Sequence, residues 1–143
     1  YGGGLDDGDI RLGGWGDRYE GLMSFDTSIL PEDVTGVTLH LYNDTPDGKQ
    51  ATGFDIHTAS GTWDENTKWA SRPGQGDLVT TVSAPPADGW IEIDLSDYLA
   101  QADGGFVLTP HSNANRFTYL TSTEGEEEFR PYLELTYADE FML

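Results

Sequence analysis

Through much of the chain the apolar residues recur at every second position. Val37, Leu39 and Leu41 alternate with Thr38, His40 and Tyr42; Ile91, Ile93 and Leu95 alternate with Trp90, Glu92 and Asp94; Leu133, Leu135 and Tyr137 alternate with Tyr132, Glu134 and Thr136. Successive side chains of a strand point to opposite faces, so each of these segments presents one apolar and one wetter side. The same pattern predicts further strands near residues 9–12, 20–26, 53–59, 77–82, 105–109 and 116–122. Helical periodicity is confined to one short helix near 96–102, with Ser96 as its N-cap and Asp97 suited to the positive end.

Eighteen glycines, seven prolines and repeated Asp-Gly pairs punctuate these segments, and no strand–helix alternation of a parallel sheet is present. The pattern predicts an antiparallel, jelly-roll-like β-sandwich of about nine strands. Its core is expected to hold Leu39, Leu41, Ile91, Ile93, Phe106, Leu108, Leu133 and Leu135 between two facing sheets.

Composition narrows the function. At 143 residues the chain is one domain's worth, and with 36% hydrophobic residues it can bury a core. Seven Lys plus Arg against 26 Asp plus Glu leave a net charge of −19, which repels phosphate backbones and anionic lipid heads, so nucleic-acid binding and membrane insertion are not expected. The absence of cysteine removes disulfides, thiolate metal sites and a cysteine nucleophile. No apolar run reaches the ~18 residues of a spanning helix. The chain opens on Tyr1 instead of Met, as a processed product or an excised piece of a longer protein would.

The order of motifs then becomes specific. Asp9-Ile10-Arg11-Leu12-Gly13 is followed by Leu22 to Asp26 leading to Ile29-Leu30-Pro31, then Val37 to Tyr42, then Gly61-Thr62-Trp63-Asp64-Glu65-Asn66-Thr67 leading to Trp69 and Arg72-Pro73. Gly89-Trp90 with Asp94, Gly105-Phe106 and Arg130-Pro131-Tyr132-Leu133-Glu134 complete the series, which spans nearly the whole length. In this order the chain resembles the DNRLRE-type domain, a β-sandwich related to disaggregatase repeats and to carbohydrate-binding modules attached to some alginate lyases. It departs from that pattern in three places. Tyr1-Gly2 matches a turn that follows an opening strand, so that strand is expected to be missing. Ser122-Thr123-Glu124 stands where the family usually has Ser-Arg-Glu, so a ligand contact through that arginine is not carried over. Residues 138–143 extend past the usual end.

Candidate chemistry points to binding. His40 and His57 fall inside strands and His111 in a loop, without a nucleophile-elbow pattern, and 26 carboxylates make chance acid pairs unavoidable, so an enzyme is not expected. Sugar rings stack their C–H faces on exposed aromatic rings while polar neighbours take the hydroxyls. Trp63, Trp69 and Trp90 are expected to pack the sandwich and pin its long loop, whereas Trp15 lies in a turn with no core facing it. Trp15, Arg18 and Tyr19 therefore form the first-choice contact patch, with Arg116 and Tyr119 next; an acidic polysaccharide such as alginate, which the resemblance permits, would need such cations or bridging calcium. Asp6, Asp7 and Asp9 are the best-spaced acids for a structural calcium ion, and solvated surface acids are the alternative reading.

These features predict a non-catalytic, extracellular polysaccharide-binding module of a larger secreted or cell-surface protein. The alternative is a structural subunit of a surface layer, adhesin or filament that assembles by strand exchange, with Phe141, Met142 and Leu143 as the inserting strand that completes a neighbouring copy.

Overall fold

The computed structural model describes residues 9–46, 48–64, 67–85, 89–123 and 125–137. Asp6, Asp7, Phe141, Met142 and Leu143 lie outside the described residues, as do the Tyr1-Gly2 turn and the whole 138–143 extension. The described residues hold nine strands: β1 (Asp9–Trp15), β2 (Gly21–Met23), β3 (Val34–Asn43), β4 (Phe54–Ser60), β5 (Gly74–Val82), β6 (Gly89–Asp94), β7 (Phe106–Pro110), β8 (Ala114–Thr121) and β9 (Tyr132–Tyr137). All strand pairs are antiparallel, and they form a five-stranded sheet of β1, β8, β3, β6 and β9 facing a four-stranded sheet in the order β2-β7-β4-β5. The all-β sandwich expected from the alternation is the fold observed.

Strand β3 organises the larger sheet. Thr38, Leu39 and His40 pair with β6 on one side and with β9 on the other, while Asn43 pairs with Gly89 of β6 and with Leu120 of β8. Strands β8 and β9 therefore lie on the same edge of β3 and in line with each other. The chain leaves this line after Thr121 and re-enters it at Tyr132, and the acid-rich segment forms the excursion between them.

The alternation sets what is buried. Leu12, Val37, Leu39, Leu41, Phe54, Ile56, Ile93, Leu95, Phe106, Leu108 and Leu120 fill the space between the sheets, with Ile91, Leu133 and Leu135 packed partly buried at its margin. At ~25 cal/mol per Å² of apolar surface, each fully buried Leu, Ile or Phe stabilises the fold by about 1.5–3 kcal/mol.

The short helix expected near 96–102 is present as a 3-10 segment over residues 96–101, in which Tyr98 N–H donates to the Leu95 carbonyl (2.9 Å) and Tyr98 itself breaks the helical geometry. Three local expectations are corrected. Leu95, not Ser96, holds the capping position; the Ser96 hydroxyl accepts from Val37 N–H (3.0 Å) and donates to Asp94 (2.6 Å), tying the segment to β3 and β6. Strand β2 is three residues long, because Asp26 turns the chain by accepting from Ser28 N–H (3.0 Å). Strand β1 runs on to Trp15 because Gly13 adopts φ +127°, where a Cβ would collide with the Arg116 carbonyl.

Candidate carbohydrate-binding site

The outer face of the five-stranded sheet carries two aromatic clusters. The first sits where β1 and β8 pair. Arg11 stands opposite Tyr119, and Gly13 opposite Phe117, with Leu12 and Thr118 turned inward between them. The missing Cβ of Gly13 lets the Arg116 backbone carbonyl approach closely, and Trp15, at the bulge that ends β1, packs edge-on against Phe117 at 5.0 Å. Tyr19 tilts against the same ring at 6.1 Å and Tyr119 meets it edge-on at 5.9 Å.

Although Trp15 is 64% exposed, its position is fixed from several directions. Its indole N–H donates to the Asn115 side-chain oxygen, and its backbone N–H donates to Asp17 (2.8 Å). The Lys49 ammonium lies over the indole at 4.6 Å and over Phe117 at 5.2 Å. Asn113 laces the turn by donating to the carbonyls of Gly16 (3.2 Å) and Asp17 (2.8 Å). With the Arg11 guanidinium 5.6 Å from the Tyr119 ring, the cluster is an aromatic platform with cations at its margin. It can stack a sugar ring and pair a carboxylate or hydroxyl beside it.

Three of the five expected contact residues, Trp15, Tyr19 and Tyr119, come together here. Arg18 does not: its Nε donates to Glu20 (2.9 Å) and its terminal nitrogen to the Pro110 carbonyl (3.2 Å), toward the four-stranded sheet. Strand parity sets Arg116 on the opposite side of β8 from Phe117 and Tyr119, opposite Gly14. Phe117, Asn115 and Lys49 were not expected in the patch. Phe117 could have been found from its two-residue spacing to Tyr119, whereas Lys49 arrives from a distant turn.

The second cluster lies on β3, β6 and β9. Tyr42 stands opposite Trp90, and His40 opposite both Glu92 and Tyr132; Thr38 stands opposite both Asp94 and Glu134. Trp90 is 41% exposed and meets Tyr42 at 5.2 Å and Tyr132 at 5.4 Å, so it belongs to an outer surface and does not pack the sandwich. The physical reason is its place in the alternation: with Ile91 and Ile93 turned inward or to the core margin, Trp90 must face out. Hydrogen bonds from the Ser96 side chain and backbone hold the Asp94 carboxyl below the usual carboxylate range, so Asp94 stays charged.

The other two tryptophans hold the long β4–β5 connection. The Trp63 indole donates to the Gly104 carbonyl (2.8 Å) and lies over Gly105, where a Cβ would come within 2.6 Å of Cζ2. Trp69 does not reach the core; it is 40% exposed and stacks on the Arg72 guanidinium at 3.9 Å. Arg72 in turn reaches buried Glu20 at 3.5 Å, next to Arg18. Since β2 and β5 are opposite edges of the four-stranded sheet, this pair links the end of the connection to the segment before β2 at the far edge. On the same sheet, a hydrogen bond to His111 (2.7 Å), helped by Thr81, lowers the Asp55 pKa.

Among the described residues no group of three or more His, Asp or Glu side chains is placed to hold a metal ion, and no helix is long and apolar enough to cross a membrane.

A two-sheet sandwich that presents ordered aromatic rings on one open sheet face has the form of a carbohydrate-binding module. The chain belongs to carbohydrate-binding module family 96, whose sequence profile covers residues 9–137. No curated protein matches it.

Proposed function

We propose that this chain is an extracellular, non-catalytic module that holds a larger secreted or surface-attached protein on a polysaccharide, with the Trp15 platform as its contact surface. The order of sequence blocks that resembles DNRLRE-type domains supports this reading beyond family membership. The observation that carries it is the Trp15 indole, largely exposed yet held by Asn115, Phe117 and Lys49. A large ring kept in one orientation at the surface binds without the entropy cost of ordering it. Lys49 and Arg11 suit a glycan with acidic groups, such as the alginate the resemblance permits, despite the net charge of −19, because screening confines the repulsion of distant carboxylates to a few ångströms at high salt.

The test is Trp15→Ala, titrated calorimetrically with an oligomannuronate. Affinity should fall by about 1–3 kcal/mol, the range for loss of one stacked ring. Undiminished affinity in the variant would remove Trp15 from the site.

A further inference from the structure

The Trp90 cluster is the largest exposed aromatic group that the Trp15 platform leaves without a role. Trp90, Tyr42 and Tyr132 stand at paired strand positions, and each is held by a neighbour. Tyr132 stacks flat on His40 (4.4 Å, 8°), and Tyr42, against which Trp90 packs, is itself stacked on Phe129 at 4.3 Å. His40 is 6% exposed beneath this layer, whereas Tyr132 and Trp90 keep two-fifths to one-half of their surface open.

The polar groups beside these rings are carboxylates. Glu134 Oε1 lies 3.0 Å from His40 Nε2, and Glu92 Oε1 lies 3.8 Å from His40 Nδ1. Both Glu side chains are mostly exposed, so their outer oxygens remain open to a ligand's donors. Asp94 adds a third charge in the next rank. The nearest cation along the chain, Arg130, donates its Nε to the Gly125 carbonyl at 2.8 Å, within the excursion. A uronate would meet like charge here, while hydroxyl and ammonium donors would meet acceptors.

We propose a second carbohydrate site on the outer face of β3, β6 and β9, in which Trp90 and Tyr132 stack a pyranose ring and Glu92 and Glu134 accept its donors. The ligand is a donor-rich pyranose without negative charge, either a neutral sugar or an amino sugar. This rests on the carbohydrate-binding reading of the chain, but not on the Trp15 platform. The module then carries two sites of opposite polarity on one sheet face, and a mixed matrix could be gripped through both.

The experiment titrates the whole chain, and its Trp90→Ala, Tyr132→Ala, Trp15→Ala and Glu92→Gln/Glu134→Gln variants, with cellohexaose, a glucosamine hexamer and an oligomannuronate hexamer. Circular dichroism melts confirm that each variant folds, and Tyr132→Ala stands in should Trp90→Ala fail to. Binding of cellohexaose or the glucosamine hexamer that weakens at least about five-fold in Trp90→Ala or Tyr132→Ala, with Trp15→Ala unaffected, is the expected result. Further loss in the double Gln variant for the glucosamine hexamer alone identifies the amino sugar; equal loss for both identifies hydroxyl recognition. If neither hexaose binds, or both bind without regard to Trp90 and Tyr132, the second site does not exist. Oligomannuronate binding through Trp15 in that case leaves the first reading standing, and failure of all three probes removes both.

Discussion

The two aromatic clusters occupy one sheet face and are built by different means. Trp15 sits at the end of a strand, and its order comes from side chains delivered by other segments: Asn115, Lys49 and Asn113. Trp90 and Tyr132 need no such struts, because β3 spaces them through cross-strand pairs with Tyr42 and His40. A ring on a turn is as rigid as its tethers, and each tether can be lost singly; a ring in a ladder is as rigid as the sheet. The electrostatics differ as well: at the first cluster Lys49 comes from the segment after β3 and Arg11 from β1, while at the second the strand alternation puts acids beside the rings.

The most severe way to break this comparison removes what the clusters share. Ile93 is buried directly behind the ladder, between Glu92 and Asp94 on β6. Ile93→Asp would bury an unpaired charge and should abolish the cooperative thermal transition, read by circular dichroism. Gly13→Ala acts on one cluster only. The left-handed backbone and the Arg116 carbonyl leave no room for a methyl group, so stability should fall by about 1–3 kcal/mol. In ¹H–¹⁵N spectra the Trp15 indole signal should move and that of Trp90 should not.

A gentler probe sharpens the contrast between tethered and laddered rings. Asn115→Ala removes the acceptor of the Trp15 indole N–H and should cost the Trp15 platform about 1 kcal/mol of oligomannuronate affinity by calorimetry. Equal weakening of a ligand at Trp90 would mean that the clusters act as one surface. The smallest effect is expected from Asp55→Asn on the other sheet. The Asp55 pKa is lowered from its ordinary 3.8, mainly by His111, so the folded state favours its charged form. That contribution is present in full above the ordinary value and is lost as pH falls through the depressed one. The variant should therefore lose less stability than the parent as pH falls below about 4 in urea denaturation, with neither cluster's binding altered at neutral pH.

Strand positions were legible because a period of two needs only local sequence, and the inward set Leu39, Leu41, Ile93, Phe106 and Leu108 follows from it. The same alternation also placed Trp90 opposite in phase to Ile91, yet it was grouped with Trp63 and Trp69 as a packing residue. Its actual surroundings depend on Tyr132 arriving on the far side of β3, a pairing across 42 positions of chain that no local pattern records. Arg18 was misplaced for a related reason. Its partner Glu20 is near in sequence, but the buried carboxylate is made tolerable by Arg72, which reaches it only by crossing the sheet. The turn at Trp15 was identifiable from its glycines, while the lysine above it was not, since Lys49 comes from the segment after β3.

The collinearity of β8 and β9 makes the domain permissive at one place. Because the chain steps off a line and returns to it, the length of the detour is independent of the register on either side. Closing a longer loop costs entropy only logarithmically. The detour is thus a graft point, where a peptide tag, a fluorophore carrier or a whole inserted domain can be accommodated without shifting a single strand pair. Within the excursion, the Phe129 ring clasped on Tyr42 marks the downstream limit at which an insertion should stop.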